Sequence, residues 1–254
     1  MIVIDENGNI KNGQHRLMAV MLSGTAQTFW VLEEAAEDIA ECIDNGKPRR
    51  IVDYLPAGTP NYRIVSTLLQ PGYAIEHGCG NTLSNIFCGR TSHNVSTTRR
   101  MALDFFGKNS DMLVRYASLG RKIANGRFDG SYANHFAKAI MLIDMLGRGD
   151  KLDLFVSHMA SCTSTHMGCQ VAFMRINRCK YDISWRSTNI KDLKRFVMLN
   201  LLTAYELFCN GDTDMTQNAA EKRFDDLGST ETEYNEYIAN RRRTDWQNEQ
   251  VPIK

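Results

Sequence analysis

The chain has 254 residues, 43% apolar and 23% charged, enough to bury the core of one large domain or two modest ones. No apolar run reaches the roughly 18–20 residues that a membrane helix needs. The N-terminus also lacks the basic-then-apolar order of a signal peptide, so a cytoplasmic protein with no membrane partner is expected. Seven cysteines, an odd number, suit reduced thiols better than a disulfide framework. The net charge of +1 conceals a segregation. Residues 1–43 carry two cationic and seven acidic side chains, 44–128 twelve and five, 129–205 ten and six, and 206–254 six and eleven. A basic middle between acidic ends fits a polyanion-binding surface, and it equally fits solvated helix faces that differ in sign.

Ile2-Val3-Ile4 and Asn9-Ile10-Lys11 flank Glu6-Asn7-Gly8, an Asn-Gly hairpin signal. Asn12 is expected to cap a helix from Gly13 to about Ser23, with Leu17, Val20 and Met21 on one face and Gly24 as its stop. The β-prone stretch 28–32 reads as a strand, and 34–43 as a second helix closed by the turn Asp44-Asn45-Gly46. These elements make a small α/β domain over residues 1–55. Residues 56–95 begin with Pro56 and Pro60, are rich in Gly, Asn and Ser from residue 71, and read as linker and loop.

A helical domain is expected over 96–211. Ser96, Ser110 and Ser131 are its first caps, with stops near Gly107, Gly126 and Gly147. Further helices are expected at about 150–160, 168–179 and 190–209, and residues 212–254 read as a polar tail with one helix over 230–242. The fold class is therefore α+β, a small α/β head followed by a mostly α-helical body.

The turn Asn12-Gly13-Gln14-His15-Arg16 carries the most chemistry. The first N–H groups of a helix lack internal acceptors and lie at the positive end of its dipole, which favours an anion. Gly13 lets an anion approach the backbone, Arg16 offers a planar fork for phosphate oxygens, and His15 adds a donor that titrates near neutrality. A plain capped helix with exposed His and Arg would explain the same spacing.

The run Lys11-Asn12-Gly13-Gln14-His15-Arg16-Leu17-Met18-Ala19 resembles the G-x-x-R-x-x-A signature of the ParB/sulfiredoxin superfamily, in the form written DGQHR. Gly24, the strand ending at Leu32, and Asp44-x-Gly46-x-x-Arg49-x3-Asp53-x-Leu55 are similar in order to phage and prophage ParB-like proteins. The resemblance implies a nucleotide or phosphate pocket at the turn. ParB proteins use it for CTP, sulfiredoxin for ATP, some relatives for a small-molecule kinase reaction, and DGQHR proteins occur in DNA-modification systems. By position, Asn12, Gly13, Gln14, His15 and Arg16 would line the phosphates of ATP or CTP, with Mg2+ accompanying the nucleotide and Arg49 as an additional charge. Asn12 stands where DGQHR has Asp, Gln14 where sulfiredoxin has its reactive Cys, and Met18 where ParB has its next Arg.

Elsewhere, Lys47, Arg49 and Arg50 follow a turn and suit nucleic-acid phosphate or plain solvation. Arg99, Arg100, Arg115, Arg121, Lys122 and Arg127, near Tyr116 and Phe128, have the composition of a nucleic-acid groove, although aromatics at helical spacing equally suit a core. Cys162, His166, Cys169 and Cys179 approach a zinc spacing, but buried thiols are the better reading. Two functions are therefore expected. The first is a phage or mobile-element accessory protein binding a nucleotide or nucleic-acid phosphate at the turn, with His15 and Arg16 as catalytic candidates for phosphotransfer, NTP-hydrolysing or nuclease-like chemistry. The second is a non-enzymatic module whose basic helical body grips DNA or a host protein through Arg99 and Arg100.

Overall fold

A computed structural model describes residues 2–33, 51–78, 82–83, 99–128, 130–161, 164–181, 190–212 and 215–249. The chain is α+β and mostly helical, and it divides into two compact units, 1–50 and 51–254. In the first unit, β1 (Ile2–Ile4) pairs antiparallel with β2 (Ile10–Asn12) and parallel with β3 (Val31–Leu32), in the order β2-β1-β3. Between β2 and β3 runs α1 (Gln14–Ser23), stopped by Gly24 at φ 63° as its sequence predicts. The central strand buries Ile2 and Val3. The strand expected over 28–32 is shorter, because only Val31 and Leu32 pair with β1. The expected face of α1 is not a buried one: no residue of that helix is buried, and Met21 and Leu22 stand largely exposed. The second helix expected over 34–43 lies outside the described residues.

The second unit is helical. Its described helices are α2 (Tyr62–Glu76), α3 (Arg99–Arg127), α4 (Ala133–Met145), α5 (Leu152–Ala160), α6 (Met167–Tyr181), α7 (Ile190–Cys209), α8 (Gln217–Asp225) and α9 (Leu227–Glu249). The unit starts earlier than expected, at residue 51, and Ile51 and Leu55 pack on its core. The loop expected from residue 71 is also corrected. Helix α2 continues through Pro71 and Gly72 to Glu76. An interior proline costs about 3 kcal/mol. Against that, Ile64, Val65, Leu68, Leu69 and Ile75 are buried on one face of α2, each contributing about 1.5–3 kcal/mol. Gly72 serves this packing, because a Cβ there would lie 2.6 Å from the Phe105 ring.

Gly107 and Ser110, expected to end one helix and begin the next, instead flank a kink in the continuous α3. Asn109 sits there at φ −124°, and its side-chain amide donates to the Phe105 carbonyl at 3.1 Å. That bond gives the Phe105 carbonyl a side-chain donor at the kink. Further along, α3 meets α4 with no room to spare. A Cβ on Gly120 would lie 2.6 Å from the Ala137 backbone nitrogen and 2.7 Å from the Ala133 carbonyl oxygen.

Helix α7 is enclosed. Every residue from Val197 to Phe208 is buried, including Asn200, Thr203 and Glu206, which recur every three residues. Such groups must find partners inside the protein. Asn200 donates to the Phe196 carbonyl at 2.8 Å, and Thr203 shares a 2.8 Å hydrogen bond with Thr230 of α9. Glu206 accepts from the Tyr234 hydroxyl of α9 at 2.7 Å and pairs with Arg148. Burial raises the Glu206 carboxyl above its ordinary value, while Tyr234 and Arg148 both hold its charged form. The Arg148 guanidinium in turn lies 4.2 Å from the ring centroid of Tyr237. The stretch 212–254 is thus more than a polar tail: Ala220, Phe224, Tyr234 and Ile238 are buried in the core.

Gly120→Ala should destabilise the protein by about 1–3 kcal/mol, since overpacked backbones must separate. Gly107→Ala, where a Cβ meets nothing within 4 Å, should instead be neutral or stabilising, and urea titration of the two glycine variants checks both expectations. Glu206→Ala should cost about 3–5 kcal/mol, because it strands the Arg148 charge and the Tyr234 hydroxyl. Thermal unfolding followed by circular dichroism checks the expectation for Glu206→Ala.

Candidate functional site

The hairpin that delivers the 12–16 turn is held by Asp5, only 7% exposed. Its Oδ1 accepts from the backbone amides of Asn7 at 2.9 Å and Asn9 at 2.7 Å. Its Oδ2 accepts from Asn9 Nδ2 at 3.1 Å and pairs with Lys11 Nζ at 3.2 Å. Gly8 turns the chain at φ 80° and donates its amide to the Asp5 carbonyl at 3.0 Å. Val3 faces Asn12 and Ile4 faces Ile10, so Lys11 is the extra residue of a bulge in β2.

The strand then enters α1 through Gly13. This residue is buried at φ 96° and ψ 4°, a left-handed conformation that favours glycine. Its carbonyl accepts from Arg16 N at 2.9 Å and Leu17 N at 3.0 Å. The cap expected from Asn12 is not made. Gly13 is itself the N-cap and makes no side-chain cap bond, and Asn12 is the last residue of β2. Gln14 is turned back, its Nε2 donating to the Ile10 carbonyl at 3.0 Å. His15 and Arg16 are exposed on the first turn of α1. The positive end of the helix therefore carries a glycine, two polar side chains and no side-chain cap.

Other expected residues are placed differently. Lys47, Arg49 and Arg50 lie outside the described residues, as does the side chain of Arg99, while Arg100 is exposed on α3 in the second unit. The proposed aromatic lining of a nucleic-acid groove is core instead, because Tyr116 and Phe128 are buried. Tyr116 donates to Asp144 at 2.6 Å, and burial with that acceptor raises its hydroxyl well above the ordinary value. Arg115 is drawn into ion pairs with Asp144 at 3.5 Å and Asp153 at 2.9 Å, and Lys122 reaches Ser157 at 3.3 Å. Cys169 and Cys179 are buried, and His166 is buried beside the Phe208 ring. Among the described residues no group of three His, Cys, Asp or Glu is placed to hold a metal ion, and Cys162 lies outside them. Among the described residues, too, no helix is long and apolar enough to cross a membrane.

Comparison of the chain with known protein families, curated proteins and solved structures gives no match.

The Asp5 carboxyl is held at about 2, chiefly by the Asn9 amide, with burial opposing the shift and the Asn9 side chain, Lys11 and the Asn7 amide adding to it. A carboxyl depressed on folding stabilises the hairpin fully above about pH 4, and that contribution is lost as the pH falls through the folded value. The Asn7 and Asn9 amide resonances should therefore titrate with a common midpoint near 2. A common midpoint near 4 would contradict the geometry.

Proposed function

We propose that the first unit is a ParB/sulfiredoxin-like α/β module that binds the phosphate of a nucleotide or of nucleic acid at residues 12–16, in a phage or mobile-element accessory protein. The observation that carries this reading is the junction itself. A bulged strand passes through a left-handed glycine into a helix whose start has no side-chain cap and displays His15 and Arg16. Uncapped amides, the helix dipole and a guanidinium all favour the same ligand charge. Arg16 supplies charge and fork geometry to phosphate oxygens, and His15 donates a hydrogen bond or exchanges a proton at the same group. With ATP or CTP as ligand, Mg2+ would accompany the phosphates. Gln14 offers no thiol, so sulfinic-acid repair of the sulfiredoxin kind forms no part of the reading.

The alternative, a basic helical body that grips DNA, draws on fewer side chains than its composition promised, since Arg115 is paired and Tyr116 and Phe128 are internal. Binding of ATP, CTP and a labelled DNA duplex to the whole chain separates the two. His15→Ala with Arg16→Ala should weaken the bound ligand at least tenfold, as loss of charge-assisted hydrogen bonds worth about 1.5–3 kcal/mol each requires. Unchanged binding in that variant, or no binding of any of the three, would count against the turn. DNA binding that survives it but is lost in Arg99→Gln with Arg100→Gln would favour the helical body.

A further inference from the structure

A cleft of about 400 Å³ opens in the second unit between the start of α2, the later part of α3 and the start of α4. Arg63 from the first turn of α2 and Arg121 and Asn125, one turn apart on α3, line it with Asn61, Tyr62 and Ala133. The hydrogen bonds of the two arginines go to neutral groups. Arg121 donates through Nη1 to Asn61 Oδ1 at 2.7 Å, and Arg63 through Nε to the Tyr62 hydroxyl at 3.1 Å. By contrast, Arg115, Arg148, Arg175 and Arg195 of the same unit each pair with a carboxylate. Among the described residues no carboxylate pairs with Arg63 or Arg121, and none lines the cleft.

The arrangement is held from beneath. Asn61 also donates through Nδ2 to Ser118 Oγ at 3.2 Å, so this one side chain spans two residues of α3 and orients Arg121. Its amide is thereby committed to α3 and makes no cap on α2, which leaves the positive end of a 15-residue helix beside the two guanidiniums. Tyr62, 45% exposed, places an aromatic ring at the rim. Two uncompensated cations in a concave site attract an anion, and the volume lies in the range of small-molecule pockets, about 300–1,000 Å³.

We propose that this cleft binds a nucleoside monophosphate, its phosphate on Arg63 and Arg121 and its base against Tyr62. The site belongs to the second unit and stands independently of the turn at residues 12–16.

Isothermal titration of the whole chain with AMP, inorganic phosphate and adenosine tests it. AMP should bind most tightly, phosphate more weakly and adenosine weakest. Arg63→Gln should weaken AMP at least tenfold, and His15→Ala with Arg16→Ala should leave that AMP site intact. Arg63 is the safer variant, because its side-chain hydrogen bond is to the adjacent Tyr62. Arg121→Gln should act similarly, with its thermal midpoint recorded because it also releases Asn61. Unchanged AMP affinity in Arg63→Gln would overturn the proposal. So would adenosine binding as tightly as AMP, or no AMP binding by the unaltered protein up to about 10 mM.

Discussion

Enclosing α7 is the constraint on which the second unit depends. A helix buried continuously from Val197 to Phe208 can be stable only if other helices surround it, and its polar side chains decide which ones. The Asn200 amide nitrogen donates locally, to the Phe196 carbonyl of its own helix. Thr203 and Glu206 instead both take partners from α9, through Thr230 and Tyr234. The polar stripe of α7 thus specifies the docking of a helix whose composition alone looks like a solvated tail. Arg148 closes the arrangement from the α4–α5 connection, joined to Glu206 and stacked against Tyr237. A charge pair of this kind adds little net stability compared with an apolar pair, but leaving either member alone is costly, so it selects one packing over others.

Packing at glycine acts in the same direction. Gly72 and Gly120 carry no turn; they let α2 and α4 approach α3 to distances at which a methyl group would collide. The same close assembly sorts the basic residues. Some cations, Arg115 and Arg175 among them, are neutralised by carboxylates across helix boundaries. Arg63 and Arg121 are left at a concave surface with neutral partners. Charge counted along the chain did not distinguish these classes, because the difference lies in which helix faces meet.

Legibility in the sequence followed the range of the interaction. The hairpin, the start of α1 at the turn and its stop at Gly24 were readable, since Asn7-Gly8, Gly13 and Gly24 act on their own neighbours. The spans of α5, α6 and α7 were close to those expected for a similar reason. What was misread was decided at a distance. Pro71-Gly72 looks like a loop, but the apolar face of α2 and the Phe105 ring require a helix there. Gly107 and Ser110 look like a stop and a start, yet Asn109 absorbs the irregularity as a kink. Asn12 looks like a cap, yet strand pairing claims it and Gly13 takes the position. At the candidate site the turn itself was visible, while the role of Asp5 in holding it depends on a network of four partners that no motif records. Arg63 and Arg121 are not legible as a pair in the sequence, because they lie far apart in the chain and the folding of α2 against α3 brings both to one cleft.

In the first unit, Asp5 fixes the hairpin, the hairpin fixes the approach of β2, and Gly13 converts that strand into a helix start facing outward with His15 and Arg16. The claim that this start receives a phosphate is tested most directly by the backbone amide spectrum of the whole chain titrated with CTP or ATP and Mg2+. The account predicts saturable shifts concentrated on the amides of Gly13, Gln14, His15 and Arg16. Shifts that leave these four amides still, or none at all, would contradict it.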